Sequence, residues 1–163
     1  MQSLLLFDFN DHADISTWQL VNDNVMGGRS QAAFYLNDHG HGVFKGTVSL
    51  ENNGGFSSVR HRFDAITNKA YQNVAIRLKG DGKRYQFRVK STLGQRHSFV
   101  AYFETSGAWQ TVVLPFETLY PAFRGQKLDL PNFDGESLSE FAILIGNKKA
   151  EAFHLEMDWI RLQ

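Results

Sequence analysis

Cysteine is absent from this chain, and only three prolines occur among its 163 residues. Without cysteine, the chain has no disulfide, no thiolate metal ligand and no thiol nucleophile. Basic and acidic residues balance at 17 each, which gives a net charge of zero. A chain without excess charge is not expected to bind nucleic acid or an anionic membrane, although a local charged patch is compatible with this balance. We therefore expect no nucleic-acid partner.

Long apolar runs are missing as well. No segment approaches the roughly 20 apolar residues that cross a bilayer, so membrane insertion is not expected. The apolar run 4–7 is too short for the core of a secretion signal, and Asp8 follows it at once. The N-terminus also has no Arg-rich amphipathic stretch of the mitochondrial type. Taken as a whole gene product, the chain is predicted to be cytoplasmic.

The length of the chain fits one domain. A domain of this size buries roughly 70% of the surface of its unfolded chain, so a substantial core forms without disulfides. No linker, low-complexity tract or internal repeat divides the sequence. We expect a single domain over residues 1–163.

Apolar residues recur mainly at every second position, which is typical of strands. The segment 34–50 predicts two short strands around a turn at 37–42. In the segment 74–89, two alternating runs flank Asp81-Gly82. Because both central residues of a tight hairpin turn need positive φ, an Asp-Gly pair between such runs predicts a β-hairpin.

The C-terminal third also has the pattern of strands. Residues 141–147 form a nearly continuous apolar run, typical of a strand that is covered on both faces. Residues 153–160 alternate, which assigns to one face Phe153, Leu155, Met157 and Trp159, and to the other His154, Glu156, Asp158 and Ile160. Many strands with Gly-containing turns and little helical periodicity predict an all-β sandwich.

Two polar, Gly-containing segments stand out from this pattern. The first holds Asn22, Asp23 and Asn24, then two glycines and Arg29. The amide and carboxylate groups can bind a ligand, and the glycines let the backbone approach it closely. The alternative is an Asx turn that leads into a strand.

The second polar segment lies at 49–63 and contains Glu51, Asn52 and Asn53 near its start. Beyond it, Ser58, Arg60 and Arg62 alternate on one face of a predicted strand. Such a face suits a polar or ligand-binding surface better than a core. The alternative is an ordinary loop followed by an exposed sheet face.

Metal ligands are sparse in the sequence. His39 and His41 stand two residues apart in a turn, but no third ligand follows at a recognisable spacing. A structural calcium held by acids near the chain ends (Asp8, Glu156 or Asp158) has no recognisable ligand loop. We predict no metal and no cofactor.

Catalytic motifs are missing too. The sequence has no nucleophile elbow, no paired metal-binding histidines and no phosphate-binding Gly loop. The two acids of a glycosidase need not be close in sequence. Asp23, Glu51 and Glu104 are therefore kept as alternative catalytic acids, although nothing else in the sequence supports that role. We predict that the protein is not an enzyme, with no catalytic residues assigned.

The polar segments resemble those of the complex I intermediate-associated protein 30 domain family. The resemblance rests on the segments 21–30 and 50–60, on L-K-G-D-G-K-x-Y, on F-R-G at 123–125 and on E-x-D-W-I near the end. It runs in order from Phe7 to Ile160, nearly the whole chain. It implies a jelly-roll β-sandwich of the galactose-binding-domain-like type, a fold shared with many carbohydrate-binding modules.

Since the segments that carry the resemblance are polar rather than apolar, we hypothesise that they converge on one binding surface. Trp18 or Phe56 would be its apolar anchor. Its polar groups would be Asn22, Asp23, Asn24, Arg29, Glu51, Asn52, Asn53, Arg60 and Arg124. In the alternative, the Asn and Asp side chains cap loop backbones, and Arg60 pairs internally with Glu51 or Asp23.

The resemblance implies a non-enzymatic, protein-binding role. The family name comes from an assembly factor that associates with intermediates of the NADH:ubiquinone oxidoreductase. We therefore expect a chaperone-like assembly factor for a respiratory or other redox complex, with subunits of that complex as partners. The alternative is a protein that binds carbohydrate or another small polar ligand, because sugar sites combine aromatic rings with Asn, Asp and Arg side chains.

Overall fold

Strands dominate the fold in this computed structural model, which describes residues 3–22, 28–67 and 70–163. Within these residues there are thirteen strands: β1 Leu4–Asp8, β2 Trp18–Asn22, β3 Gln31–Leu36, β4 Gly42–Val48, β5 Ser57–Ile66, β6 Asn73–Lys79, β7 Arg84–Lys90, β8 Ser98–Glu104, β9 Trp109–Pro115, β10 Tyr120–Phe123, β11 Gln126–Lys127, β12 Leu138–Ile145 and β13 Glu151–Leu162. Short 3-10 helices occur at Glu51–Asn53 and Phe116–Thr118. In this part of the chain, no helix has the length and apolarity to cross a membrane.

The described strands form two antiparallel sheets. The six-stranded sheet has the order β3-β4-β13-β6-β9, with β1 also paired to β13. The seven-stranded sheet has the order β11-β10-β8-β7-β12-β5-β2. The long strand β13 pairs with β4 through its first half and with β1 through its second half, while β6 lies along its other edge. The all-β sandwich predicted from the sequence is confirmed.

The core lies between the two sheets and follows the alternation of the sequence. On β7, Tyr85, Phe87 and Val89 are fully buried, and the intervening residues face outward. The ring of Phe87 stacks on that of Phe141 in the neighbouring strand β12, with centroids 6.0 Å apart. Since each fully buried aromatic side chain contributes about 1.5–3 kcal/mol, such rows fix which face of each strand points inward.

Strand β12 is buried along its whole length, as its apolar run predicts. Phe141, Ile143 and Ile145 point into the core at 0% exposure. Ala142 and Leu144 point the opposite way and are still only 8% exposed, because neighbouring side chains rise around them. The second buried face is therefore the floor of a depression on the outside of the seven-stranded sheet.

The prediction of a β-hairpin at Asp81-Gly82 is wrong. Strand β6 belongs to the six-stranded sheet and β7 to the seven-stranded sheet, so the chain crosses between layers here. Of the two turn residues only Gly82 has a positive φ, +82°. Asp81 instead fastens the crossover, because its carboxylate accepts hydrogen bonds from the Tyr85 hydroxyl at 3.0 Å and from the backbone N–H of His154 at 2.8 Å.

The faces predicted for β13 hold only up to Met157. The register against β6 shifts between Met157 and Trp159, which is the geometry of a β-bulge. Beyond it Ile160 is fully buried, whereas Trp159 is only partly buried and has the Arg161 guanidinium 3.9 Å from its ring centroid. An extra residue in one strand reverses the alternation, so Trp159 and Ile160 exchange the faces that the sequence assigned to them.

The β3–β4 hairpin forms as predicted, with a turn that Asn37 organises. The side-chain oxygen of Asn37 accepts hydrogen bonds from the backbone N–H groups of His39 and His41, both at 3.0 Å. An Asn side chain that bonds the backbone ahead of it is a common turn device.

Candidate functional site

A groove crosses the outer face of the seven-stranded sheet. It consists of two adjoining hollows of about 250 and 810 Å³, which share Phe56, Arg88, Ala122, Arg124 and Leu144. We call this depression the groove. Its remaining lining residues are Val21, Gly55, Ser58, Arg60, Gln86, Lys90, Arg96, Ser98, Val100, Tyr102, Tyr120, Phe123, Gly125, Lys127, Glu140, Ala142 and Gly146.

The strand register explains why these side chains meet. Arg60 and Arg88 are the partners of Ala142 on its two sides, in β5 and β7. The next residue outward in the same row is Val100 of β8, followed by Tyr120 of β10. Since residues directly opposite each other project from the same face, the row forms one continuous strip across the sheet.

Apolar residues form the floor of the groove. Val100 is 2% exposed and Ala122 is 6% exposed. Because these side chains are short, the longer side chains of the same strands rise above them as walls. The floor thus offers an apolar contact to any ligand that lies between the walls.

Aromatic rings stand along the wall nearest β8 and β10. The Tyr102 ring has the Arg84 guanidinium 3.8 Å from its centroid, and its hydroxyl accepts a hydrogen bond from the Gln86 amide at 3.3 Å. The pKa of the Tyr120 hydroxyl is raised, first by burial and then by the neighbouring Tyr102 hydroxyl, with which it is hydrogen-bonded. The two tyrosines therefore form one polar edge beside the apolar floor.

Positive charge dominates the lining. Six basic side chains line the groove: Arg60, Arg88, Lys90, Arg96, Arg124 and Lys127. The only carboxylate among the lining residues of the two hollows is that of Glu140. It is 5% exposed and accepts a hydrogen bond from Nε of Arg62 at 2.7 Å. Glu140 is therefore already engaged by a cation outside the lining.

Two of the basic side chains have neutral hydrogen-bond partners. Arg60 donates to the side-chain oxygen of Gln19, and Lys90 donates to the backbone carbonyl of Gln95 at 3.2 Å. Burial lowers the pKa of the half-buried Arg88, and its Nε atom has no hydrogen-bond partner among the described residues. A guanidinium is not deprotonated in proteins, so Arg88 keeps its charge in spite of this burial.

A tight hairpin presents Arg124. Strands β10 and β11 are joined by Arg124-Gly125, and both residues have positive φ, 51° and 78°. Two such residues form the two-residue turn that matches the twist of a β-hairpin. The turn holds the Arg124 guanidinium 5.1 Å from the centroid of the Phe123 ring at the groove wall. The F-R-G segment of the sequence is thus a turn that projects a cation.

The structure places two of the nine predicted site residues, Arg60 and Arg124, in the groove lining. The proposed apolar anchor Phe56 lines it as well. Asn22 does not, because its side-chain oxygen accepts a hydrogen bond from the hydroxyl of Ser57, which points inward at 0% exposure. It fastens the end of β2 to β5.

Arg29 and Glu51 pair with each other outside the groove. Their side chains approach to 3.5 Å and are 68% and 71% exposed, so the pair contributes little to stability. Asn52 is exposed and has φ 56°, a left-handed conformation that Asn tolerates well. The side chain of Asn53 and all of Asp23 and Asn24 lie outside the described residues.

Trp18 is not an exposed anchor. It is 7% exposed and lies in the core, stacked on Phe34 at 4.9 Å and on His61 at 5.2 Å between ring centroids. Trp18 is buried because the rings of Phe34, His61 and Phe141 surround it at this end of the sandwich. The aromatic residues of the groove are Phe56, Tyr102, Tyr120 and Phe123.

Sequence reasoning missed most of the groove. Gln86 and Arg88 alternate in the sequence with the apolar residues of β7, and this alternation is the one indication in the sequence that they face outward. Nothing in the sequence connects them with Tyr102, Tyr120 or Lys127, because the pairing of β7 with β8 and of β8 with β10 is a tertiary property.

The histidine pair does not assemble a metal site. The rings of His39 and His41 are 6.3 Å apart, and His41 lies against Trp109 at 4.6 Å. Across residues 3–22, 28–67 and 70–163, no three His, Asp or Glu side chains are grouped to hold a metal ion. Glu104, one of the acids considered for catalysis, pairs with Arg84 at 3.7 Å. What the structure does provide is the groove on the outer face of the seven-stranded sheet.

The fold places the protein in the class of jelly-roll β-sandwiches of the galactose-binding-like type, as predicted. It is similar to a family 11 carbohydrate-binding module from Clostridium thermocellum in complex with a β-1,3-1,4-mixed-linked tetrasaccharide, with a TM-score of 0.71, 16% identity and coverage of 98% of this chain and 94% of that one. It is also similar to the agarase AgWH50C, with a TM-score of 0.65, 16% identity and coverage of 100% of this chain and 24% of the agarase.

The chain belongs to the complex I intermediate-associated protein 30 family, whose model matches residues 7–157. It is 20% identical, over an alignment 182 positions long, to the mitochondrial complex I intermediate-associated protein 30 of Mus musculus, with coverage of 98% of this chain and 56% of the mouse protein. The chain therefore spans about half the length of this relative. The resemblance seen in the sequence is confirmed.

Proposed function

We propose that the protein is a non-enzymatic binding module that holds part of a partner protein in the groove. The observation that carries this proposal is the combination of an apolar floor with walls of polar and charged side chains on the outside of the seven-stranded sheet. Apolar area gives affinity, and convergent polar groups give orientation. Arg, Tyr and Phe, which form the walls, are also residue types enriched in protein interfaces.

The partner belongs to a respiratory or other redox complex under assembly. This part of the proposal is supported by membership of the complex I intermediate-associated protein 30 family and by the similarity to the mouse protein of that name. In a chaperone-like role, the groove would hold a segment of a subunit until that segment finds its place in the complex. Such a role needs reversible binding and no chemical step.

A second candidate function is carbohydrate binding. It is favoured by the two tyrosines beside Gln86 and Arg88, and by the structural similarity to a module solved with a tetrasaccharide. Sugar sites use bare aromatic faces as platforms. Here one face of Tyr102 is taken by Arg84, at 3.8 Å, and Lys127 lies 5.6 Å from the centroid of Tyr120. We therefore place protein binding first.

The test fills the groove without changing its charge. Ala142→Trp places a large ring on the floor between Arg60 and Arg88. The matched control is Ala33→Trp, at an exposed position of β3 in the six-stranded sheet. Tagged wild type and both variants, checked for folding by circular dichroism, are used as baits in lysate of the native cell, and captured proteins are identified by mass spectrometry.

We expect subunits of NADH:ubiquinone oxidoreductase or of another redox complex to be captured by wild type and Ala33→Trp and lost with Ala142→Trp. The same preparations are titrated calorimetrically with a mixed-linkage β-glucan tetrasaccharide. Capture that is indifferent to Ala142→Trp would remove the groove from the proposal. Tetrasaccharide binding that is lost in Ala142→Trp, without captured subunits, would establish the carbohydrate alternative.

A further inference from the structure

The groove carries an excess of positive charge, although the net charge of the whole chain is zero. The whole sequence holds 17 basic and 17 acidic residues. The lining of the groove holds six basic side chains and the single acid Glu140, which is engaged by Arg62. Within the described part of the chain, none of the six basic side chains forms an ion pair. The local field is therefore positive where a ligand would lie.

Aromatic rings hold several of these cations in place. Arg124 and Arg96 lie 5.1 and 6.0 Å from the centroid of Phe123, and Lys127 lies beside Tyr120. A ring face attracts a cation without cancelling its charge. The same contacts occupy ring faces on which a neutral sugar or a nucleobase would stack. The groove is thus arranged to present charge more than to present aromatic platforms.

The basic groups at the centre suit carboxylates. A guanidinium offers two parallel N–H donors that match the two oxygens of a carboxylate. The groove lining has such a group in Arg60, Arg88 and Arg124. Arg88 has an unused donor at Nε. That atom is itself buried, so a carboxylate in the groove would meet the terminal N–H donors of Arg88 instead.

The dimensions suit a short stretch of extended chain. The groove crosses the sheet from β5 to β10 through β12, β7 and β8, which is four inter-strand spacings. At about 4.8 Å for each spacing this is roughly 19 Å. An extended polypeptide advances about 3.3 Å per residue, so about six residues would cross it.

From the charge, the donors and the length, we propose that the groove binds an acidic segment of the partner protein in an extended conformation, with Asp or Glu carboxylates on Arg60, Arg88 and Arg124. The inference rests on the proposed function, because it names the chemistry of the protein segment that the groove would hold. Its apolar contacts would be made with the floor at Val100, Ala122, Ala142 and Leu144.

The test uses a fluorescein-labelled peptide of alternating Glu and Ser as the probe, with fluorescence anisotropy as the readout. The same peptide with Gln in place of Glu is the uncharged control. Wild type is compared with Arg60→Gln/Arg88→Gln in the groove and with Lys45→Gln/Lys79→Gln in the six-stranded sheet, which removes the same charge elsewhere. Thermal unfolding confirms that each variant is folded.

We expect the Glu peptide to bind wild type and the Lys45→Gln/Lys79→Gln variant alike. Loss of two charge-assisted contacts should weaken binding to Arg60→Gln/Arg88→Gln by tenfold or more. Affinity should fall as salt is raised, and Ala142→Trp should abolish binding. Equal binding of the Gln peptide, or no effect of Arg60→Gln/Arg88→Gln, would overturn the inference. So would tighter binding of oligogalacturonate or polyuridylate than of the Glu peptide, in favour of an acidic sugar or an RNA.

Capture of partner proteins from lysate distinguishes the acidic-segment inference from the proposed function, which is protein binding in the groove. Partner proteins lost with Ala142→Trp but kept with Arg60→Gln/Arg88→Gln would leave the proposed function in place and remove the acidic segment. Partner proteins lost with both variants would support both. Capture that neither variant changes would remove the groove from the proposed function itself, whatever the peptide does.

Discussion

Arg60 donates two hydrogen bonds to the single side-chain oxygen of Gln19, from Nε at 3.0 Å and from Nη2 at 2.8 Å. The two residues are opposite each other on β5 and β2, at one wall of the groove. Gln19 fixes the orientation of the guanidinium and, as a neutral side chain, does not cancel its charge. Since Glu has nearly the same shape as Gln, replacing Gln19 by Glu changes the charge beside Arg60 and leaves the shape of the wall almost unchanged.

Gln19→Glu should weaken the binding of the Glu peptide by about three- to tenfold, since the new carboxylate would neutralise Arg60. Stability should change by less than about 1 kcal/mol, because the pair would be exposed. Anisotropy titrations and urea unfolding measure the two effects. Gln31→Glu on the exposed edge of β3 adds the same charge far from the groove and should leave peptide affinity unchanged. Equal losses in both variants would indicate a non-specific charge effect.

Glu140→Gln should act in the opposite direction. It removes the only acid of the groove lining, so affinity for the Glu peptide should rise several-fold. The amide oxygen can still accept from Arg62, and we expect a loss of about 1–2 kcal/mol in the free energy of unfolding. Peptide titration and urea unfolding of the same preparation measure both. A fall in affinity would mean that the Arg62–Glu140 pair positions the binding groups.

Stability should fall as the pH drops below about 6.5, the ordinary pKa of histidine, because of His61. Its ring packs against Trp18, Phe7 and Phe141, and burial, opposed by a backbone hydrogen bond with Thr17, lowers its pKa. The unfolded chain then takes up a proton before the folded one does, so protonation favours unfolding. The slope for one such group is at most about 1.4 kcal/mol per pH unit.

Urea unfolding at several pH values above and below 6.5 checks this pH dependence. His61→Phe should flatten the acid side of the profile, whereas His12→Gln, at an exposed position, should keep the wild-type profile. An unchanged slope in His61→Phe would assign the acid sensitivity to other groups.

Gly46→Ala should destabilise the β3–β4 pair. A Cβ at this position would lie 2.7 Å from the backbone Cα of Ala32 and would also collide with the carbonyl oxygen of Gln31. Because backbone atoms cannot move aside as a flexible side chain can, we expect a loss of about 1–3 kcal/mol. The control Gly107→Ala meets no atom within 4 Å and should be nearly neutral. Thermal unfolding of both variants measures the difference, and equal melting temperatures would contradict the prediction.

Local sequence predicts strands well here because alternation is a local property. It assigns the inward residues of β7 and the buried run of β12, and it predicts the β3–β4 hairpin. It fails where contacts with residues distant in the sequence decide the structure. Asp81-Gly82 has the composition of a hairpin turn, but Asp81 bonds His154 and the chain changes sheet. At Met157–Trp159 a bulge shifts the register, which a strict alternation cannot anticipate.

The sequence by itself determined the all-β class and the faces of most strands. Its polar segments led us to predict Arg60 and Arg124 as site residues, and the structure places both in the groove lining. Only the tertiary structure decided that these two lie beside Arg88, which is 28 residues from one and 36 from the other in the chain. The physical reason is that a period of two specifies which face a side chain takes and says nothing about which strand lies next to it. Neighbours are chosen by the packing of both sheets together, so the groove and its charge exist only in the assembled sandwich.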